Sequence, residues 1–457
     1  MAAAPLTTTC CVVGGGPAGM MLGLLLARAG IDVTVLEKHA DFLRDFRGDT
    51  VHPSTLQLMH ELGLLEDFLA RPHQEVRRLS VEIGDTTVPV ADFTHLPTRC
   101  KFIALMPQWE FLDFLAGHAK RLPNFRLLMQ TEATGLLRDT DRVVGVTAHS
   151  TVSSSGPDCG AAQPGSGAAD AIAFGIADKS GAAQPGSGAA DATYRMVGDA
   201  VNSPVSSCEI HARLVVATDG RHSTIRDAAG LRVIDRGVPM DVLWLRLSRR
   251  DGDPGQTLGR VGAGRMLVTL DRGDYWQCAY VIAKGGFDSL RSRGLDAFRA
   301  GLLSLAPHFR DRIHEVGTWD DVKLLTVALN RLEQWHQPGL LLIGDAAHAM
   351  SPVGGVGINL AVQDAVAAAN ILVPHLRQNT ISSEDLRAVQ RRREWPTRAT
   401  QRVQALIQNR VISNVLQSTA TPHPPWPLRL IGRHPYLQRL PARAVGIGVR
   451  PEHVRCV

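Results

Sequence analysis

A short β-branched and apolar run, Thr8 to Val13, meets the cluster GGGPAG at Gly14 to Gly19, and the helical pattern MMLGLLLARAG and a second run, IDVTVLE, follow. Parallel strands buried on both faces read as continuous apolar runs, and helices as apolar positions three to four residues apart. The predicted order is therefore strand, glycine loop, helix, strand. Near residue 340 the logic returns: Leu340 to Ile343 is a buried-strand run, Asp345 follows it, and apolar positions recur at helical spacing from Ile358. Between the two, VPMDVLWLRLSRR alternates, with Val242, Trp244 and Arg246 on one face and Leu243, Leu245 and Leu247 on the other. MLVTLDRGDYWQCAYVIAKGG predicts a hairpin turning at DRGD, with Trp276, Cys278 and Tyr280 sharing a face of its second strand. Past Gln390 the pattern Val403, Leu406, Ile407, Val411, Val415 predicts a helix that ends at TPHPPWP.

Gly14, Gly16 and Gly19 satisfy G-x-G-x-x-G around Pro17 and Ala18. The first permits a tight turn, the second lets backbone approach a pyrophosphate, and the third lets the helix pack close to the sheet. The helix start then offers free N–H groups and a positive dipole end to phosphates. Glu37, with Lys38 beside it, ends the second strand, where a carboxylate accepts hydrogen bonds from ribose hydroxyls. An acid there disfavours a 2′-phosphate, so FAD or NAD fits this site better than NADP. At the second site Asp345 stands at a strand end, and Pro352, Gly354, Gly355 and Gly357 leave backbone free to approach a flat ligand. The N–H groups of Gly357, Ile358 and Asn359 form another helix start, suited to developing negative charge.

The charge balance is mild: 49 Lys+Arg against 44 Asp+Glu in 457 residues, with 44% hydrophobic and 20% charged residues. That excludes a disordered or fibrous chain and gives no support to a nucleic-acid binder. Seven Cys are too sparse for a disulfide scaffold, and none has zinc spacing, so no metal is expected and a reducing, cytoplasmic location is. No run of apolar residues long enough to cross a membrane is expected, the best being Met20 to Ala27, and MAAAPLTTTC does not read as a signal peptide.

Residues 151–207 interrupt two runs, DRVVGVTAHS and EIHARLVVATDG, that read as neighbouring strands. Within them GAAQPGSGAADA occurs twice, and the Gly, Ala, Ser and Pro content predicts a surface excursion rather than core, a duplicated loop with a lid or partner-binding segment as the alternative. The insertion holds two Lys+Arg and five Asp+Glu, and the stretch from residue 401 holds eight Arg and one Glu. The net +5 thus divides into an acidic loop, a near-neutral body and a basic tail that docks on the protein's own surface or on a partner or membrane surface.

Three motifs in order carry a resemblance. G-x-G-x-x-G at the start, ATDGRHSTIR at Ala217 to Arg226, and GDAAHAMSPVGGVGIN from Gly344 resemble the flavoprotein monooxygenases with the p-hydroxybenzoate hydroxylase fold. The resemblance implies an α/β fold: a Rossmann-type FAD-binding domain (1–78, 104–150, 208–237, 325–400) interleaved with a mostly antiparallel substrate domain (79–103, 238–324). The insertion (151–207) and a helical, basic C-terminal segment (401–457) complete it. It gives Glu37 the adenosine ribose of FAD, Asp345 the ribityl chain, and Gly357, Ile358 and Asn359 the flavin's pyrimidine edge, with Gly355 also cofactor-binding. Arg47, Gln108 and Asp219 match cofactor-contacting positions, Arg47 and Pro352 position the flavin, and Trp244, Arg246, Trp276 and Tyr280 are candidates for a substrate pocket. His348, tempting as a base, matches a structural position.

With one complete dinucleotide fingerprint, no second Rossmann unit remains for NADH or NADPH, which the resemblance makes a transient reductant. The implied reaction uses NAD(P)H and O₂ to hydroxylate or epoxidise an aromatic or polycyclic small molecule through a flavin hydroperoxide. A dehydrogenase or reductase of the same fold, and a non-catalytic flavoprotein whose insertion binds a partner, are the alternatives. A homodimer is left open.

Overall fold

Leu6–Val13 is the centre of a parallel sheet, paired on one side with Ser206–Ala217 and on the other with Val33–Leu36. The computed structural model describes residues 5–43, 50–151, 206–254, 258–420 and 422–456. Arg47 and all but the margins of the insertion lie outside them. Phe125–Leu128 and Leu340–Leu342 extend the sheet in parallel at its two sides, and Thr131–Asp139, Arg142–Ser150 and His336–Gln337 add antiparallel strands to make eight. Alternate residues of the first strand enter different cores. Cys10 and Val12 pack with the helices Pro17–Arg28 and Gly357–Gln378, whereas Cys11 and Val13 face Val215, Ala217, Leu340 and Trp335. Both faces are covered, which is why the strand shows no polar alternation.

Arg142–Ser150 and Ser206–Ala217 are antiparallel neighbours whose register runs to Ser150 opposite Ser206. The chain therefore leaves the sheet and returns to it at one point. The helix Gly357–Gln378 belongs to a segment, Val353–Gln378, that is apolar and long enough to span a membrane, against the expectation that no such run exists. Its apolarity has another cause here, because 78% of the window is buried inside the protein.

A second sheet has seven strands in the order Lys323–Leu325, Met240–Ser248, Tyr275–Ala283, Arg265–Asp271, Leu258–Gly262, Arg78–Ile83, Thr86–Asp92. All neighbours are antiparallel except Leu258–Gly262 beside Arg78–Ile83. Leu247 lies opposite Trp276 and Leu243 opposite Tyr280, while Trp244 lies opposite Ala279 and Arg246 opposite Gln277. Directly opposed residues share a face. Trp276 and Tyr280 consequently sit with Leu243, Leu245, Leu247 and Phe298 under the helices Phe287–Ser292 and Leu295–Leu305, on the other side of the sheet from Trp244 and Arg246. The grouping of these four in one pocket is corrected by this register. Trp276 and Tyr280 are core residues, the Trp276 indole N–H donating to Asp253 at 2.8 Å. The opposite face carries Val242, Trp244, Val268 and Ala279, and its Met240, Met266 and Val281 reach Val353 of the second glycine loop.

The helix Ser383–Ile407 runs through residue 400, so no boundary falls there, and it continues through a wider turn at Gln408–Ile412 into Ser413–Gln417. Of the apolar positions whose spacing predicts it, Val403 is 55%, Leu406 58% and Val411 45% exposed, while Ile407 packs against the second sheet. Gln401, Gln404 and Gln408 are buried instead. The cause is their neighbour, a loop whose peptide groups need partners.

Candidate functional site

The parallel strands end level with one another. Val13 is in register with Leu36 and Ala217, and Ala217 with Leu342. Gly14, Glu37, Asp219 and Asp345 therefore emerge side by side at the carboxyl edge of the sheet, where open α/β sheets bind ligands. The crossing Gly14 makes is narrow: φ is +105°, and a Cβ there would lie 2.7 Å from Thr218 O. Thr218 closes the turn, its hydroxyl donating to Val13 O at 2.9 Å and Gly14 O at 2.7 Å. A Cβ on Gly19 would sit 2.0 Å from Gly14 O, so the helix Pro17–Arg28 approaches only because that residue has none. Gly16 differs. The nearest atom to a Cβ there is 4.0 Å away, which leaves the middle of the loop open.

Glu37 accepts from Gly15 N and His39 N, both at 3.1 Å. Lys38 turns away to Glu132 in an exposed pair at 3.5 Å. Asp219 Oδ2 accepts from Ile225 N at 3.1 Å, while its Oδ1 is buried without a hydrogen-bond partner. Burial pushes this carboxyl above the ordinary aspartate range, against the Ser223 hydroxyl and the Ile225 amide. Asp345 faces Arg221 at 3.6 Å, both partly exposed.

The second glycine loop is held from two sides. Toward the N-terminal part of the chain, Thr50 Oγ1 donates to Gly355 O at 2.8 Å. Asn359 Nδ2 donates to Thr50 O at 3.2 Å, and its Oδ1 accepts from His52 N at 2.9 Å and Thr55 Oγ1 at 2.7 Å. The Asn359 side chain is thus committed to the protein, and its backbone N–H remains for a ligand. In the helix Gly357–Gln378 the first amide with a helical acceptor is that of Leu360, on Val356 O at 3.0 Å; no side chain caps the start. Gln108 opens the helix Gln108–Ala119, just beyond the strand Ile103–Leu105 that pairs with Thr50–Val51.

From the other side come residues that pattern reading did not single out. Gln404 Nε2 donates to Ser351 O and Val353 O at 2.9 Å each, and its Oε1 accepts from Ser351 N at 3.3 Å. Gln401 Nε2 donates to Asn330 O at 2.7 Å and Ala349 O at 3.3 Å, and Gln408 bonds Ser351 Oγ. The three glutamines clamp the backbone on both sides of Pro352. Their spacing of three and four residues on one helix face was a visible signal. Asp364 is a further anchor, accepting from Gly344 N at 3.1 Å, His348 Nε2 at 2.6 Å and Arg393 Nε at 2.9 Å, all buried. Burial alone would raise its pKa, but His348 and Arg393 outweigh that and hold the carboxylate below its usual range. Arg393 and Arg392 also bind Glu452, which fastens the C-terminal segment to the same network.

Together these features fit FAD on the protein's own geometry: an open Gly16, an orphaned buried oxygen on Asp219, and unclaimed amides at Gly357 to Asn359, all at loops following level strand ends or the adjoining helix start.

Comparison with known proteins agrees. The family model described as FAD binding domain matches residues 7–158 and 190–403. The chain is 30% identical over 411 residues to 6-methylpretetramide 4-monooxygenase of Streptomyces rimosus, covering 89% of this chain and 84% of that protein. It is 28% identical over 372 residues to rifampicin monooxygenase of Streptomyces venezuelae, covering 77% of this chain and 60% of that longer one. The crystal structure of p-nitrophenol 4-monooxygenase PnpA from Pseudomonas putida superposes with a TM-score of 0.67 at 20% identity, covering 96% of this chain and 97% of that one, and so shares the fold. The chain belongs to the FAD binding domain family of flavin-dependent, aromatic-hydroxylase-type monooxygenases.

Proposed function

We propose that this protein uses NAD(P)H and O₂ to hydroxylate or epoxidise an aromatic or polycyclic small molecule. The observation that carries this is an apolar face of the second sheet beside the glycine loop: it bears Val242, Trp244, Val268 and Ala279, and its Met240, Met266 and Val281 pack with Val353 of the loop and with Ile407, Ile412 and Leu416 of the long helix. A flat apolar substrate held there would lie against the cofactor's reactive end. The names of the relatives, which include monooxygenases of pretetramide and rifampicin, support a polycyclic ring system.

FAD, when bound, supplies the acceptance of two electrons from the nicotinamide and the activation of O₂. The chain's own work is binding, orientation and exclusion of water. Gly14, Gly16, Pro17, Ala18 and Gly19 present the first helix start to the pyrophosphate, with Glu37 at the adenosine ribose and Asp345 and Asp219 beside them. Gly355 and the amides of Gly357, Ile358 and Asn359 would hold the isoalloxazine edge and donate to negative charge there. Pro352, held by the glutamine clamp, and Arg47 set its position, with Gln108 nearby. The strands of residues 6–36, 125–150, 206–217 and 336–342 then serve as the FAD-binding domain, and those of 78–92 and 240–325 as the substrate domain. Free, mostly buried thiols fit a reducing, cytoplasmic setting.

The test is to record the flavin of the purified protein and follow NAD(P)H and O₂ consumption across a panel of phenolic and polycyclic compounds. Substrate-stimulated NAD(P)H use without O₂ uptake or an oxygenated product overturns the proposal. Asp345→Ala is expected to lose FAD during purification, and full occupancy in that variant removes Asp345 from the site.

A further inference from the structure

The C-terminal segment repeats one pattern ten residues apart: Trp426-x-x-Arg429-Leu430-x-x-Arg433, then Tyr436-x-x-Arg439-Leu440-x-x-Arg443. Each copy falls within one helix, Trp426–Arg433 or Pro435–Gly446. Residues three, four and seven apart share one side of a helix, so each copy gathers an aromatic ring, a leucine and two arginines on a single stripe. The opposite stripes are the ones that pack. A Cβ on Gly432 would lie 2.7 Å from the Val88 side chain, and Ala442 is buried with Ala91 and Phe93. Both helices are seated on the edge strand Thr86–Asp92 and against each other. The tail therefore docks on the protein's own surface by its inner side only.

The outer stripes are left bare. Trp426 and Tyr436 are each 75% exposed, with Leu430 and Leu440 exposed beside them. Single apolar residues at a surface are ordinary, whereas a row of them rimmed by charge marks a contact. The charge has one sign. No carboxylate occurs from residue 401 to residue 451. Arg429, Arg433 and Arg443 make no ion pair among the described residues, and Arg439 lies over the Tyr436 ring at 4.7 Å. A second copy does not suit this face, because a two-fold contact through it sets arginines against arginines with no acid on either helix between them. An anionic bilayer suits both features. Its phosphates take the guanidinium groups, tryptophan and tyrosine rings favour the headgroup level, and leucines reach the acyl boundary. The long arginine stems lie along the apolar residues while their charge stays among the headgroups.

We propose that the outer face of the helices Trp426–Arg433 and Pro435–Gly446 binds the surface of an anionic lipid bilayer. Trp426, Leu430, Tyr436 and Leu440 enter the headgroup region, and the four arginines meet its phosphates. The protein lies on the bilayer through this face and does not cross it there, since neither helix approaches the length of about 20 residues that crossing takes. Thr86–Asp92, on which both helices rest, belongs to the same sheet as Trp244, so binding brings that sheet toward the membrane. The surface stands whether or not the protein hydroxylates a ring.

The experiment sediments the FAD-loaded protein with vesicles of phosphatidylcholine alone, and of equal parts phosphatidylcholine and phosphatidylglycerol, at low and high salt. The variants are Arg433→Gln/Arg443→Gln and Trp426→Ser/Tyr436→Ser. All four side chains are exposed, so melting temperature and flavin content are expected to stay at their wild-type values. Wild type is expected to bind the anionic vesicles, to bind the neutral ones far less, and to be released by salt. Each double variant should bind the anionic vesicles about tenfold more weakly or worse, the first through lost charge and the second through lost insertion. No binding of the wild type to the anionic vesicles, or binding unchanged in either variant, overturns the proposal. So does a dimer, in place of vesicle binding, that Trp426→Ser/Tyr436→Ser dissolves, which assigns the face to a second copy. None of these outcomes touches the oxygenation reading.

Discussion

His52 offers a quantitative test of how the glycine loop is held. It is completely buried. Its backbone N–H donates to Asn359, its Nδ1 meets Val445 O at 2.8 Å, and its Nε2 has no partner. A carbonyl cannot donate, so Nδ1 carries the proton and the neutral ring has a bare Nε2. Burial lowers the pKa from 6.5 to about 4, against the Val445 carbonyl, which favours the charged form. The folded state therefore prefers neutral His52 more strongly than the unfolded chain does. The resulting stability is complete above the unfolded pKa of 6.5 and is lost as pH falls from there toward 4. Linkage over that window gives a loss of about 2 kcal/mol between pH 7 and pH 5 from this one group. In His52→Asn an amide N–H still reaches toward Val445 O, but nothing titrates. Urea unfolding of the FAD-loaded protein at the two pH values measures the difference. Wild type should lose about 2 kcal/mol more than the variant, since His308, also lowered to about 4, is common to both and cancels. Equal losses in the two proteins would refute the reasoning.

Gly14→Ala is expected to prevent stable folding, because the new Cβ meets Thr218 O at 2.7 Å, whereas Gly16→Ala should fold with near-normal melting and lose FAD affinity about tenfold or more; soluble yield and flavin titration separate the two. Gln404→Leu leaves buried peptide groups of Ser351 and Val353 unpaired and should cost about 2–4 kcal/mol in urea stability. A loss below that range would mean the loop stands without the clamp. Trp276→Leu should lower stability by about 2–4 kcal/mol without changing which substrates are accepted, and Trp244→Leu should change substrate acceptance at little cost in stability; reversed outcomes would put the pocket on the other face.

The first site was legible because each of its parts is local. Gly14, Gly16 and Gly19 share one strand, loop and helix, and Glu37 lies one strand away; only Thr218, the neighbour that confines Gly14, comes from a distant part of the chain. Alternation in Met240–Ser248 correctly separated Trp244 from its leucine neighbours. Placing Trp276 and Tyr280 beside Trp244 failed because two strands can each be read for their own faces, while the register between these two, which pair across two intervening strands of chain, is set by tertiary packing that pattern does not resolve. The helix past Gln390 forms where its pattern predicts it, with Ile407 and Ile412 packed against the second sheet. What apolar periodicity missed are Gln401, Gln404 and Gln408, which are selected by the polar groups of the glycine loop. Asp364 lay hidden inside an apolar run because its partners, His348 and Arg393, come from 16 residues before it and 29 after.

The pairing of Ser150 with Ser206 divides the flavin site between two lengths of chain. The glycine loop and Glu37 belong to the part before it, and Asp219, Asp345 and the Gly357 helix start to the part after. The seam includes backbone pairing, seven register pairs between Leu6–Val13 and Ser206–Ala217 and six more between Arg142–Ser150 and Ser206–Ala217, together with the packing of the helices Pro17–Arg28 and Gly357–Gln378. Two fragments parted at the insertion each carry half a cradle, and recovery of flavin binding would register their reassembly.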